Sequence, residues 1–247
     1  MSVGKTGKPR MSLRLMAALT GLIVGAVHTG PALAGSFTVN PVNINLPADR
    51  KAASLTVTNS GAAPVSVRVQ TYAWTQADGS DVRTPTTNVI ASPPIFTIPA
   101  GKTQLIRVGL RNQAGPGAYR IVLEEIPRDR PLEGQIQVNL RLDLPLYVLP
   151  KGGGKADLSW RAWRDGSGDI FVEGSNSGSA HLQVIELSAE QGGKWRRLSQ
   201  QMGVVLPGSA RRWKAGKLVD LTARAPLRLK IRSSSGESQA QIVLEQR

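Results

Sequence analysis

The stretch Gln135-Ile-Gln-Val-Asn-Leu-Arg-Leu-Asp-Leu-Pro-Leu146 alternates polar and apolar residues almost without interruption. Ile136, Val138, Leu140, Leu142, Leu144 and Leu146 fall on one face of an extended chain, and Gln135, Gln137, Asn139, Arg141 and Asp143 on the other. From Ile136 to Leu146, at ~3.4 Å per residue, the pattern predicts a strand of about 37 Å, roughly twice the usual length. A slip of one residue would turn the whole apolar set into water, so the register is strongly specified. Pro145 has no N–H for a ladder, which predicts a sheet edge near the end of this strand. Two readings of a long, apolar-faced edge remain open. It fills the core of its own sandwich, or it is a strand lent to a partner that lacks one.

Upstream, the chain reads as short alternating segments with turn residues between them. Ser36 to Leu46 alternates, with Pro41 predicting a bulge or a strand switch. Further strands are expected at Leu55–Thr58, Val65–Trp74, Ile95–Ile98, Thr103–Leu110 and Tyr119–Ile126, and Ala77-Asp-Gly-Ser80 reads as a hairpin turn. This density of strands predicts an all-β fold, an antiparallel sandwich of immunoglobulin-like type. Pro150 and Gly152-Gly-Gly154 mark a hinge, after which strands are expected at 158–164, 170–174, 181–188, 217–223, 227–231 and 239–245. The expected organisation is a leader over 1–34, a first domain over 35–150 and a second β-sandwich over 151–247.

The leader is read from Lys5, Lys8, Arg10 and Arg14, the uncharged run Leu15–Val27 and the small-residue exit Ala32-Leu-Ala34. That order is the grammar of a secretory signal peptide, and the apolar run is too short for a stable membrane span, which needs about 20 residues. No later stretch reaches membrane length. Of the 247 residues, 31 are Lys or Arg and 17 are Asp or Glu, a net charge of +14. Removing the leader takes four cations and no acid, which leaves +10 on a secreted protein. Nucleic acid is therefore not expected as a partner despite the charge. There is no cysteine, which excludes disulfides, thiol catalysis and Cys-based metal sites. The 26 Gly and 16 Pro argue against a helical bundle.

The mature chain resembles the PapD-like periplasmic pilus-assembly chaperones. The likeness runs through Phe37-Thr-Val-Asn-Pro-Val-Asn-Ile44, Leu55-Thr-Val-Thr-Asn59, Val89-Ile-Ala-Ser-Pro-Pro-Ile95 and Pro99-Ala-Gly101. It continues through Ile106-Arg-Val108, Tyr119-Arg-Ile-Val-Leu-Glu-Glu-Ile-Pro127 and Leu144-Pro-Leu-Tyr-Val148. It is dense in the first half, looser in the second, and nearest to the archaic, spore-coat-like branch. The resemblance implies two immunoglobulin-like domains in a boomerang arrangement. It implies a periplasmic chaperone that binds incomplete pilin subunits by donor-strand complementation and delivers them to an outer-membrane usher. By position, Ile136, Val138, Leu140 and Leu142 would be the donor side chains. Where the family carries a basic residue on its first strand to grip the subunit's terminal carboxylate, this chain has Asn43. A second cleft cation falls near Pro145, and a hinge arginine is replaced by Leu149. Arg120 and Arg141 are the nearest cations on the last two strands of the first domain and are the candidate anchors.

No catalytic constellation emerges, so no enzyme, cofactor or metal is expected. Outside the leader the chain has His181 alone, with no Gly-x-Ser-x-Gly elbow and no phosphate loop. Glu124 and Glu125 point to opposite faces of a strand, one for pairing and one for solvent. Trp160-Arg-Ala-Trp-Arg164, Lys194-Trp-Arg-Arg197 and Arg211-Arg-Trp-Lys214 are read either as packed tryptophans with flanking arginines or as an anionic-ligand surface. The alternative function is a secreted structural or adhesive immunoglobulin-like module, or a pilus component itself.

Overall fold

The structure, a computed structural model, describes residues 1, 2, 4, 37–112, 116–127, 138–199, 201–217 and 226–246. Contacts divide the chain into Met1–Pro31 and Ala32–Arg247, and all strands lie in the second unit. No helix occurs among the described residues, and none is long and apolar enough to cross a membrane. The expected leader, 1–34, lies almost entirely outside the described residues.

The first ten strands are β1 (Phe37–Asn40), β2 (Ile44–Leu46), β3 (Ala52–Asn59), β4 (Val65–Ala77), β5 (Ser80–Pro85), β6 (Val89–Ser92), β7 (Ile95–Ile98), β8 (Thr103–Leu110), β9 (Gly117–Glu125) and β10 (Arg141–Val148). They form one sheet ordered β1-β3-β8-β6 and a second ordered β2-β10-β9-β4-β5, with β7 also on β4. Pro41 sits where the chain leaves the first sheet at β1 and enters the second at β2, the expected strand switch. Alternate residues of both sheets, among them Leu55, Val57, Ile106 and Val108 against Val67, Ile121, Leu123 and Leu146, close one buried core. Asn59, fully inside it, is satisfied because its amide donates to the carbonyls of Ala63 and Ile98 at 2.8 and 3.0 Å.

The second half contains β11 (Leu158–Arg164), β12 (Ile170–Asn176), β13 (Leu182–Gln191), β14 (Lys194–Ser199), β15 (Gly203–Val205), β16 (Ser209–Gly216), β17 (Pro226–Ser233) and β18 (Gly236–Gln246). Their order is β14-β13-β17-β18-β11-β12-β16, with β15 on β13. Two antiparallel layers meet where β11 and β18 pair in parallel over Ala162–Arg164. Their core is built on Val172, Leu187, Trp213, Leu227 and Leu229.

The long strand is shorter than its alternation implies. Ladder pairing begins at Arg141, and the described residues 138–140 are irregular. The neighbour stops at the same level: β9 ends at Glu125, and Pro127, two residues on, has no N–H to donate. Glu125 instead ties the approach to β10. Its N–H donates to the Leu140 carbonyl at 2.9 Å, and its carboxylate accepts the Leu140 N–H at 3.1 Å. Of the strand candidates in the second half, 218–223 lies outside the described residues and Lys217 is not in a strand.

The β4–β5 hairpin turns at Asp78-Gly79, both with positive φ (51° and 76°), as a two-residue primed turn requires. Its tip docks on β16: the Arg212 N–H donates to the Gly79 carbonyl at 2.9 Å, and a Cβ on Gly79 would lie 2.6 Å from Arg212 Cβ. Gly79→Val is therefore expected to destabilise the protein by about 1–3 kcal/mol, read as a lower thermal midpoint. An unchanged midpoint would show that the hairpin tip is not held against β16.

Candidate functional site

Strand β10 is the element around which the site is built. On one side it pairs with β9 along its full length, Arg141 opposite Glu124 through Val148 opposite Gly117. On the other side β2 covers only Leu146–Val148, in parallel. Among the described residues no strand pairs with Arg141–Pro145 on this side, which leaves an open ladder edge, and Pro145 stands where the cover ends. The edge expected near the proline is present, but it lies before Pro145 and is closed after it.

The apolar face of the same strand emerges gradually from the core. Leu146 is 1% exposed and Leu144 6%; Leu142 and Leu140 are half-buried against the core's edge, and Val138 is 57% exposed. Ile136 lies outside the described residues. The two readings of the alternating segment therefore apply to different parts of it: the end is core, and the beginning carries apolar side chains that the core does not cover.

The face of the second sheet opposite the core carries charge in cross-strand rows. Arg68, Glu124 and Arg141 stand side by side on β4, β9 and β10, as do Tyr72, Arg120 and Pro145. Arg141 is exposed. Glu124 and Glu125 point to opposite faces as expected, but Glu125, not solvated, is buried at 6%.

At the end of these rows a cleft of about 430 Å³ separates the two sandwiches. Val42, Asn43, Arg120, Pro145 and Tyr147 line it from the first sandwich, and Met202 and Arg211 from the second. Arg120 and Asn43 are thereby brought together, whereas Arg141 is not among the lining residues. The Arg120 guanidinium lies 3.7 Å over the Trp74 ring and 3.6 Å from Asp143, which also pairs with Arg83. Burial lowers the proton affinity of Arg120 and the Asp143 carboxylate opposes that, so the group stays a cation. Arg211 pairs with Asp81 at 2.5 Å. Asp81 also accepts from Trp74 Nε1 at 3.0 Å and Gln76 Nε2 at 2.8 Å. Burial raises the Asp81 carboxyl, but the hydrogen bonds from Gln76, Arg211 and Trp74 outweigh it and hold its pKa below the usual range. The Nε of both Arg120 and Arg211 is buried and finds no acceptor among the described residues. Two cations thus line one cleft, each already paired with a carboxylate, and one of those carboxylates, Asp81, lines the cleft as well.

The joint that sets the cleft's width is a small cluster of its own, Trp74 and Tyr147 against Leu206. Gln76 works as a strand would, donating to the Val204 carbonyl at 2.7 Å and accepting the Leu206 N–H at 3.0 Å. His181 stacks on Tyr147 with ring centroids 3.5 Å apart. Burial pushes the Tyr147 phenol up to about 12 and lowers His181 below its ordinary value. Sequence reasoning does not find Asp81, Trp74, Gln76 or Tyr147, because their roles come from contacts between the two sandwiches, such as Gln76 with Val204 and Asp81 with Arg211. Arg211 appears in sequence only as part of a basic patch. The tryptophans of those patches are packed: Trp213 and Trp163 are 2% and 5% exposed, and arginines cover Trp163. No group of three or more His, Cys, Asp or Glu able to hold a metal occurs among the described residues.

Residues 36–153 match the family model described as pili and flagellar-assembly chaperone, PapD N-terminal domain. No curated protein sequence matches the chain. Solved structures share the fold over most of the chain. One is the CsuC–CsuE chaperone–tip adhesion subunit pre-assembly complex of archaic Csu pili from Acinetobacter baumannii, at 21% identity, 86% of this chain, 100% of the other and a TM-score of 0.63. Another is the SafA pilin with the SafB chaperone of Salmonella enterica, at 16%, 85%, 97% and 0.57. The E. coli chaperone DraB matches at 17%, 87%, 98% and 0.56.

The His181–Tyr147 stack predicts a pH effect. A His whose pKa is lowered by folding contributes stability that is complete above its unfolded value, near 6.5, and is lost as pH falls through the folded value. Between pH 7 and 5 the thermal midpoint is expected to fall, and His181→Phe, which keeps a ring on Tyr147, is expected to flatten that slope. An equal slope in the variant would place the titration elsewhere.

Proposed function

We propose, since this chain belongs to the PapD-like family of pilus-assembly chaperones, that it lends β10 to an incomplete pilin subunit in the periplasm and passes the subunit to an outer-membrane usher. In this reading residues 1–34 are the export signal, 35–150 the strand-donating domain and 151–247 the second domain. The mechanism involves no bond making or breaking; it is strand addition.

The observation that carries the proposal is the half-covered edge of β10. A strand added along Arg141–Pro145 lies in line with β2, which already occupies the same side of β10 beyond the proline. Its end nearest β2 therefore meets Asn43 and the cleft that holds Arg120 and Arg211. Arg120 and Arg211 offer charge-assisted hydrogen bonds that a carboxyl terminus can accept and an amino terminus cannot. The added strand then runs parallel to β10, as β2 does. Backbone bonds along the open edge supply the grip, and Leu142, Leu140, Val138 and, beyond the described residues, Ile136 supply the apolar fit. Each such side chain, once covered, contributes about 1.5–3 kcal/mol before ordering costs.

The anchor differs from the arrangement that the family resemblance implies. Asn43 offers an amide in place of a cation, and charge comes from Arg120 on β9 and Arg211 on β16, one from each sandwich. Asp143 and Asp81 hold both guanidinium groups in place before any partner arrives, so little side-chain entropy is lost on capture. Arg141, four residues before Pro145 on an extended strand, lies about 13 Å from the cleft's lip and faces Glu124. We assign it to the strand-side surface and not to the anchor.

Val138 is exposed, so Val138→Asp is expected to leave the thermal midpoint within about 1 °C of the parent while abolishing capture of an incomplete pilin. Normal capture by this variant would refute strand lending. Arg120→Gln and Arg211→Gln are each expected to weaken capture about tenfold. Unchanged affinity in both would move the anchor out of the cleft.

A further inference from the structure

We infer that the cleft also selects the last side chain of the bound chain, through an apolar clip formed by Val42 and Met202. This inference rests on the proposed carboxylate anchor and extends it from charge to residue type. Apart from the terminal Met1, Val42 at 65% and Met202 at 60% are the most exposed large hydrophobic residues among those described. Single exposed apolar side chains are ordinary. These two line the same cleft, one from each sandwich, and Arg120 and Arg211 line it with them.

Their backbones hold them there for separate reasons. Val42 lies in the strand switch between β1 and β2, next to Asn43 and two residues before β2 begins its pairing with β10 at Leu146. Met202 precedes Gly203, the first residue of β15, which pairs with Val184 of β13. Gly203 has no room for a side chain, since a Cβ would lie 2.2 Å from Arg211 Nε. The backbone carrying Met202 is therefore packed directly against the anchor arginine. A cleft of about 430 Å³ accommodates one terminal residue and its carboxylate. A leucine, isoleucine, valine, methionine or phenylalanine side chain in that position would cover both lips, and methionine adapts to each of these shapes. A terminal serine would cover neither.

The test uses N-acetylated peptides of alternating valine and threonine that end in leucine or serine, each as free acid and as amide. Binding to the full chain is read by calorimetry. The leucine acid is expected to bind about tenfold more tightly than the serine acid, and both acids more tightly than their amides. Val42→Ser combined with Met202→Ser is expected to erase the leucine preference and keep the preference for acid over amide. Met202→Gln, which keeps the side chain's length, is expected to reduce the leucine preference by itself. Equal binding of the two acids to the parent, with the amides still weaker, overturns the clip and leaves the anchor standing. Equal or absent binding of acid and amide overturns the anchor and the clip with it. A leucine preference that survives both sets of substitutions also overturns the clip.

Discussion

Among the described residues, strand pairing runs along the whole of one side of β10 and along only the last three residues of the other. That asymmetry organises the site. Where β2 covers the strand, Leu146 and Val148 are core and Tyr147 reaches across to the second sandwich. Where β2 stops, at Pro145, backbone groups face outward and the cleft begins. Over the described residues before Arg141 the chain is irregular, and the same apolar face that fills the core comes out into solvent at Val138. One strand thus supplies core, joint and open edge, in that order along its length.

The joint matters because the cleft's two cations belong to different sandwiches. Arg120 is fixed by Trp74 and Asp143 within the first, whereas Arg211 is fixed by Asp81 across the interface. The β4–β5 hairpin spans the gap with a backbone bond at Gly79, a side-chain amide at Gln76 and a carboxylate at Asp81. The half-buried Asp81 carboxylate persists as an anion because three donors converge on it. Loss of any one of these contacts is expected to alter the distance between the two guanidinium groups that line the cleft.

Much of this was legible in the sequence and some was not, for identifiable reasons. Period-two alternation marked the segment before Val148 and fixed which face of β10 is apolar, because that property depends only on neighbours in the chain. The strand's true start at Arg141 depends on where β9 ends, which alternation cannot report. Pro41 correctly marked a switch between sheets. Strands β14 and β16 were hidden because arginines next to tryptophans disguise alternation: Arg212 packs on Trp163 and Arg228 on Trp195. Arg120 is a candidate from its position on the penultimate strand of the first domain, and the structure places it in the cleft lining. Arg211 is no candidate from the sequence, because what gives it a role is Asp81, 130 residues away.

Direction and position of the added strand test the account most directly. The chain contains no cysteine, so single cysteines can be placed at position 43 or 138 without competing thiols. The alternating valine–threonine peptide would carry its own cysteine next to either its carboxyl or its amino end. Parallel addition predicts that position 43 cross-links to the carboxyl-end cysteine and position 138 to the amino-end cysteine. The opposite pairing, or cross-linking that ignores position, would contradict the claim that β10 lends its open edge to a strand whose carboxyl terminus ends in the cleft.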